Sequence, residues 1–302
     1  MVARGAVPRA VVLLNARSRS GARPPLDRIL GAFGVAGWQV EARAGLSAAW
    51  TTQAAREAVA DGVDAVFGGG GDGVLAAILP AVLHTRTALG VVPLGTGNVW
   101  ARELGLPLLP EAAIAAQLGA PPRLVDLGLA NERPFLVAAS AGFDASIVQA
   151  VEAGSKSWGQ LAYPLAGLGL ATAVRGTRCQ VQLDGEPPLE TSLLAAIAMN
   201  GRLYGGLVPL APGARVDDGR LDVVIFSGRA TLDLAAHTAR VLTGLHLDEP
   251  SITIRSVEQV TIDSLEQPLP TQCDGDLSGT TPLHIRVLPQ AVWALGAPDP
   301  PA

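Results

Sequence analysis

Along the first 120 residues, short apolar runs of β character alternate with Ala-rich segments whose apolar positions recur at helical spacing. "AVVLLN" (10–15), "GWQVEARA" (37–44), "VDAVF" (63–67) and "ALGVVPL" (88–94) read as strands. Between them, "PLDRILGAFGV", "SAAWTTQAAREAVADG" and "GVLAAILPAVL" read as helices. This alternation predicts a parallel sheet with helices packed on its faces. From "GAPPRLVDLGLANERPF" (119–135) onward, strand-like segments dominate. "CQVQLDGEPPLETSLLAAIAMNG" predicts a hairpin about Asp184 and Gly185, and "GRLDVVIFSG", "ITIRSVEQVTID" and "PLHIRVLP" continue the β pattern. The expected organisation is an α/β domain over residues 1–122 and a mostly antiparallel β domain over 123–302, whose last strand can pack back on the first domain.

Composition adds exclusions. The chain of 302 residues is 49% hydrophobic but only 4% aromatic, which fits aliphatic cores and argues against disorder. A formal net charge of −5 without a Lys/Arg cluster argues against nucleic acid as a partner. Cys179 and Cys273 are far apart and form no CxxC pair, so neither a disulfide framework nor a zinc site is read, and a reducing cytoplasm is the expected location. The N-terminal apolar run is too short for a signal-peptide core. "WGQLAYPLAGLGLATAV" (158–174) falls short of the roughly 20 residues that span a bilayer, and reads as a buried helix, with a membrane-surface contact as the alternative.

The sharpest local feature is "VFGGGGDGVLAAIL", where a strand-like run meets four consecutive glycines, an aspartate and a further glycine before helical spacing resumes. Strand, glycines and helix form the arrangement in which free N–H groups and the helix dipole receive a phosphate. A Walker A loop would need Lys and Ser/Thr after the last glycine, but Val74 and Leu75 stand there. The spacing Gly68-x-Gly70-x-x-Gly73 matches a dinucleotide fingerprint, but it follows the third strand and lacks the acidic residue after the next one. A second small-residue turn, Gly95-Thr96-Gly97-Asn98, follows the fourth strand, so two loops could enclose a nucleotide from both sides.

GGDG followed by GTxN resembles the diacylglycerol kinase catalytic-domain family, which includes diacylglycerol, sphingosine and bacterial soluble lipid kinases, with NAD kinases more distant. "NARSRSG" (15–21), "VDLG" (125–128), "AGFDASIV" (141–148), "MNGRLYGGLVPLAPGARVDDGRLDVVIF" (199–226) and "QCDGDLSGTTPLHIRVLP" (272–289) extend the likeness over nearly the whole chain. The resemblance implies an NAD kinase-like N-terminal fold and ATP and Mg²⁺ as cofactors. It also implies a hydroxyl-bearing lipid such as diacylglycerol as the acceptor, collected at a membrane surface and bound in a cleft between the domains.

It further implies roles. Asn15 belongs to the first nucleotide loop; Gly70, Gly71 and Gly73 cradle phosphates; Asp72 faces the nucleotide and its magnesium; Gly95, Thr96 and Asn98 line the second loop. Asp126 and Asp274 match a water and magnesium network, and Asp218 matches a structural magnesium ligand completed by carbonyls near Arg215 and Arg220. Asp276 stands where the family has a glutamate base, with Asp274 beside it. Taken alone, each Asp-Gly is an ordinary turn. The chain departs from the family at Val74, Ala76, Ala77, Val99 and Asp276, and shows no threonine near Ala44. The leading alternative is therefore a kinase-like protein that binds a nucleotide or lipid without transferring phosphate, with NAD kinase third.

Overall fold

The computed structural model describes residues 7–15, 26–153 and 175–296. The apolar segment 158–174 and most of "NARSRSG" lie outside the described residues. The chain divides into two compact units: residues through Val125 together with Gln290 onward, and Asp126–Pro289.

In the first unit the elements follow the order β1 (Arg9–Asn15), α1 (Leu26–Val35), β2 (Gln39–Gly45), α2 (Ala48–Ala60), β3 (Ala65–Gly70), α3 (Asp72–Val82), β4 (Ala88–Pro93), α4 (Val99–Glu103) and α5 (Pro110–Leu118). The strands pair in parallel in the order β2-β1-β3-β4, with Val12 opposite Phe67 and Phe67 opposite Gly90. β3 and β4 are buried along their whole lengths, as parallel strands covered on both faces must be. One face packs Ile29 and Phe33 of α1 and Ile114 of α5 against Val12, Phe67 and Val92. Phe33 meets Phe67 edge-to-face at 4.8 Å between ring centroids. Leu295, from the end of the chain, joins this core, and Ala294 pairs in parallel with Leu89.

The second unit takes in most of β5 (Arg123–Ala130), which crosses the boundary, then β6 (Arg133–Phe135), β7 (Ala138–Gly142), α6 (Phe143–Ala153), β8 (Thr177–Leu183), β9 (Leu189–Met199), β10 (Leu203–Tyr204) and β11 (Val208–Pro209). It continues through β12 (Leu221–Ser227), α7 (Thr231–Thr243), β13 (Ile252–Val257), β14 (Gln259–Ser264), β15 (Pro270–Cys273), β16 (Asp276–Thr280) and the first part of β17 (Leu283–Ala294). Its antiparallel sheet runs β16-β15-β7-β9-β8-β14-β17, with β12 joining β9 to β13. The β8–β9 hairpin turns at Asp184 and Gly185, both at positive φ (47° and 76°), closed by Glu186 N–H on Leu183 O at 2.8 Å. Two positive φ values are the signature of the tight turn that matches strand twist.

β9 shows why "LLAAIAM" is continuously apolar. Ala196 and Ala198 enter one cluster with Val223 and Ile225, whereas Ala195, Ile197 and Met199 enter another with Val224, Phe226 and Ile252. A strand covered on both faces keeps its period of two but loses its polar half.

Phe67 is fully buried at the centre of the first unit's core. Phe67→Ala is expected to lower the unfolding free energy by about 3–5 kcal/mol, measured by urea denaturation followed through tryptophan fluorescence.

Candidate functional site

The glycine run is shorter as a loop than its sequence implies. Gly68, Gly69 and Gly70 are buried residues inside β3, and only Gly71 lies between that strand and α3. A Cβ on Gly68 would lie 2.6 Å from Leu75 Cδ2, and one on Gly70 would lie 2.5 Å from Val74 Cγ2. These glycines let α3 fold straight back over its own strand. Gly73 is exposed, with nothing within 4 Å of where a Cβ would stand, so packing alone does not require it to be glycine. At the start of α3 the first N–H groups have no carbonyl within the helix to bond. Asn15 ends β1, the neighbour of β3.

β1 connects onward to β2 on one side of it, and β3 to β4 on the other, so the sheet order reverses between β1 and β3. The crevice at the carboxyl ends of strands at such a switch point is the common ligand site of open α/β sheets. Asn15 and Gly71 sit at those ends.

The second loop is fastened to the first. Leu94 N–H donates to Gly70 O at 3.1 Å. The Asp72 carboxylate accepts from the N–H groups of Val99 (3.0 Å) and Trp100 (2.9 Å), capping α4 from the start of α3. Asn98, buried and at φ 46°, closes the loop on itself: its Oδ1 accepts from Gly95 N–H at 3.0 Å and its Nδ2 donates to Gly95 O at 2.8 Å. Arg102 Nε donates to Gly97 O at 3.0 Å. Thr96 is exposed between these anchors. Asp72 and Asn98, expected to face a nucleotide, thus make hydrogen bonds that shape the two loops. A Cβ on Gly95 would lie 2.8 Å from Gly71 N, so the loops approach backbone to backbone.

In the second unit, buried Asp126 holds the "RVDDG" turn. Its N–H donates to Val216 O at 2.6 Å and its Oδ2 accepts from Gly219 N–H at 2.6 Å. Asp218 is exposed and accepts from Arg220 N–H at 3.0 Å. The Arg215 side chain pairs with Asp217 at 3.1 Å, and that of Arg220 reaches Ser256 O at 2.6 Å. Fully buried Asn200 donates to the carbonyls of Asp126 and Leu136, and its Oδ1 receives no hydrogen bond among the described residues. Carboxylate, amide and carbonyl oxygens are the donor set of a hard cation, so these residues fit Mg²⁺ by chemistry. Among the described residues, no three His, Cys, Asp or Glu side chains form a cluster able to hold a metal.

Asp274 and Asp276 share the turn between β15 and β16. Asp274, at φ 49°, accepts from the N–H groups of Leu136 (2.8 Å), Val137 (2.9 Å) and Ala138 (3.1 Å), which makes it an anchor of the segment leading into β7. Asp276 Oδ2 accepts from Arg133 Nη2 at 2.8 Å. Behind the turn, Gln272 Oε1 accepts from Gly275 N–H at 2.8 Å, and its Nε2 donates to Ser140 Oγ and Asp144 Oδ2, both at 2.9 Å. Ser140 Oγ also donates to Asp144. Burial pushes the Asp144 carboxyl up from its ordinary value, against the effect of the hydrogen bonds from Ser140 and Gln272. Burial, with the Asp274 charge adding to it, likewise raises the Cys273 thiol, leaving it an inert core group.

Sequence reasoning missed Arg133, Ser140, Asp144, Asn200 and Gln272. Asn200 ends a long apolar run and Ser140 and Asp144 interrupt one, so polar residues in apolar surroundings were the available signal. Arg133 offered none.

A parallel α/β unit whose strand ends carry two mutually anchored small-residue loops, followed by an antiparallel β unit, is the NAD kinase-like architecture that the family resemblance implies. The profile of the diacylglycerol kinase catalytic domain matches residues 9–130, and that of the YegS C-terminal NAD kinase beta sandwich-like domain matches residues 137–296. The chain is 29% identical to a diacylglycerol kinase of Bacillus subtilis over 280 residues, 91% of each chain. It is 32% identical to a YegS-like lipid kinase of Chromohalobacter salexigens over 294 residues, covering 95% of this chain and 93% of that one. In fold it is similar to a diacylglycerol kinase of Bacillus anthracis, with a TM-score of 0.78 at 22% identity, covering 96% and 97% of the two chains. An NAD kinase of Archaeoglobus fulgidus solved with ATP gives a TM-score of 0.51 at 12% identity, covering 95% and 93%. The chain belongs to the diacylglycerol kinase catalytic-domain family and is a lipid kinase of the YegS-like type.

Asp72→Asn replaces one acceptor oxygen with a donor facing a backbone N–H. It is expected to cost about 1–3 kcal/mol of stability and to weaken ATP binding, read by thermal melting and by calorimetric titration.

Proposed function

We propose that this chain is an ATP- and Mg²⁺-dependent kinase that phosphorylates the hydroxyl of a lipid such as diacylglycerol. The observation that carries the reading is the pair of loops at the carboxyl ends of β3 and β4, joined through Asp72. The N–H groups of Gly71, Asp72 and Gly73 at the start of α3 would receive phosphate oxygens, with Gly95 and Thr96 closing over them and Asn15 beside them. Gly70 serves this cradle by letting α3 approach.

Phosphoryl transfer depends chiefly on positioning and charge neutralisation. Bound Mg²⁺ would supply part of that neutralisation. Asp126 and Asp218, with the carbonyls of Arg215 and Arg220 and the amide oxygen of Asn200, are the residues that would hold a cation in the second unit. Asp276 is assigned as the base. The acceptor oxygen forms its bond to the γ-phosphorus as the bond to the ADP oxygen breaks, and the hydroxyl proton passes to the Asp276 carboxylate. Asp274 supports this chemistry by fixing the turn. The proposed lipid is collected at a membrane surface, where such substrates reside.

The competing reading, a binding protein without turnover, draws on Val74, a buried apolar side chain where the family has a hydroxyl. Transfer of radiolabel from ATP into diacylglycerol, phosphatidylglycerol and sphingoid bases in mixed micelles separates the two. A labelled lipid is expected, with Asp276→Asn losing about 10²–10⁴-fold in turnover while ATP binding is unchanged. ATP binding with no labelled lipid would establish the binding protein instead.

A further inference from the structure

Asp276 is held from two directions. Its backbone is fixed by the turn, through the three N–H groups on Asp274 and through Gly275 on Gln272. Its carboxylate is fixed by Arg133, 143 residues away in sequence. Arg133 stands on the β5–β6 hairpin, where Asn131 at the turn accepts from His284 N–H at 3.0 Å and donates its own N–H to His284 O at 2.7 Å. The guanidinium is therefore mounted on a stiff support. Burial works against its charge, but the hydrogen bond to Asp276 and the negative charges around it outweigh that, and the group is held above its ordinary value.

The ion pair joins side chains that are 37% and 57% exposed, a setting in which such pairs contribute little to stability. Its geometric effect is larger. A carboxylate on a single methylene has two torsions, so one hydrogen bond at Oδ2 orients Oδ1 as well. Among the described residues Oδ1 receives no hydrogen bond.

We propose that Arg133 is the positioning residue for Asp276, occupying Oδ2 so that Oδ1 is presented to the acceptor hydroxyl. This rests on the kinase reading above. The experiment compares the unmutated chain with R133M, R133K, D276N and the R133M/D276N double variant. Each is assayed for label transfer from ATP to dioctanoylglycerol, with phosphatidylglycerol as a second acceptor.

R133M is expected to lower kcat on the order of 10–100-fold, the scale of a small misplacement of a reacting group. KM for ATP and the melting temperature should stay close to those of the unmutated chain, and R133K should recover part of the loss. In the D276N background R133M should bring no further loss, because its effect passes through Asp276. The inference is overturned if R133M keeps full kcat, if it lowers kcat by the same factor in both backgrounds, or if its loss accompanies a raised ATP KM or a collapsed melting temperature. If D276N keeps full turnover, the assignment of Asp276 as base falls and takes this inference with it, whereas if neither acceptor is labelled, the kinase reading itself falls.

Discussion

The Asp72 carboxylate, receiving the N–H groups of Val99 and Trp100, is the constraint on which the first unit's crevice depends. Without it, two loops that leave different strands would keep the bond from Leu94 N–H to Gly70 O but lose the two that join α3 to α4. With it, the start of α3 and the start of α4 become one object. The backbones at Gly71 and Gly95 then come so close that no side chain fits on Gly95. Charge-assisted bonds from backbone N–H to carboxylate are about twice as strong as neutral ones, which makes an aspartate a sound choice for tying irregular backbone together.

The second unit repeats the device. Asp126 ties the "RVDDG" turn to β5, Asp274 ties the β15–β16 turn to the segment before β7, and Asp184 accepts from the N–H groups of Glu258 and Gln259 at 2.8 and 2.9 Å. Several aspartates that resemble a magnesium and water network therefore hold loops in shape. An anchor and a ligand are compatible roles, because a carboxylate oxygen has a second lone pair after one hydrogen bond. Asp276 is different: its carboxylate pairs with the Arg133 side chain rather than with the backbone, and it is exposed.

The departures from the family pattern also take on physical meaning. Val74 is buried against Gly70, so its side chain serves packing between α3 and β3. Ala77 is buried in the same helix. Val99 contributes through its N–H, which any residue other than proline could supply at that position. Asp276, an aspartate where the family has a glutamate, is met by Arg133 on a neighbouring hairpin.

The sequence by itself determined the parallel α/β first half, the antiparallel second half, the turn at Asp184 and Gly185, and the place of both small-residue loops. Each depends on periodicity or turn chemistry within a few neighbouring residues, which local patterns record. Even so, β3 extends three residues beyond the strand read from "VDAVF", because its neighbours on both sides pair with glycine as readily as with valine. Only the tertiary structure decided which polar groups meet. Asp72 finds Trp100 28 residues away, Asp126 finds Gly219 at 93, Asp274 finds Leu136 at 138 and Arg133 finds Asp276 at 143. No local pattern encodes such pairings, since they exist only once the sheets have brought distant segments within hydrogen-bond reach.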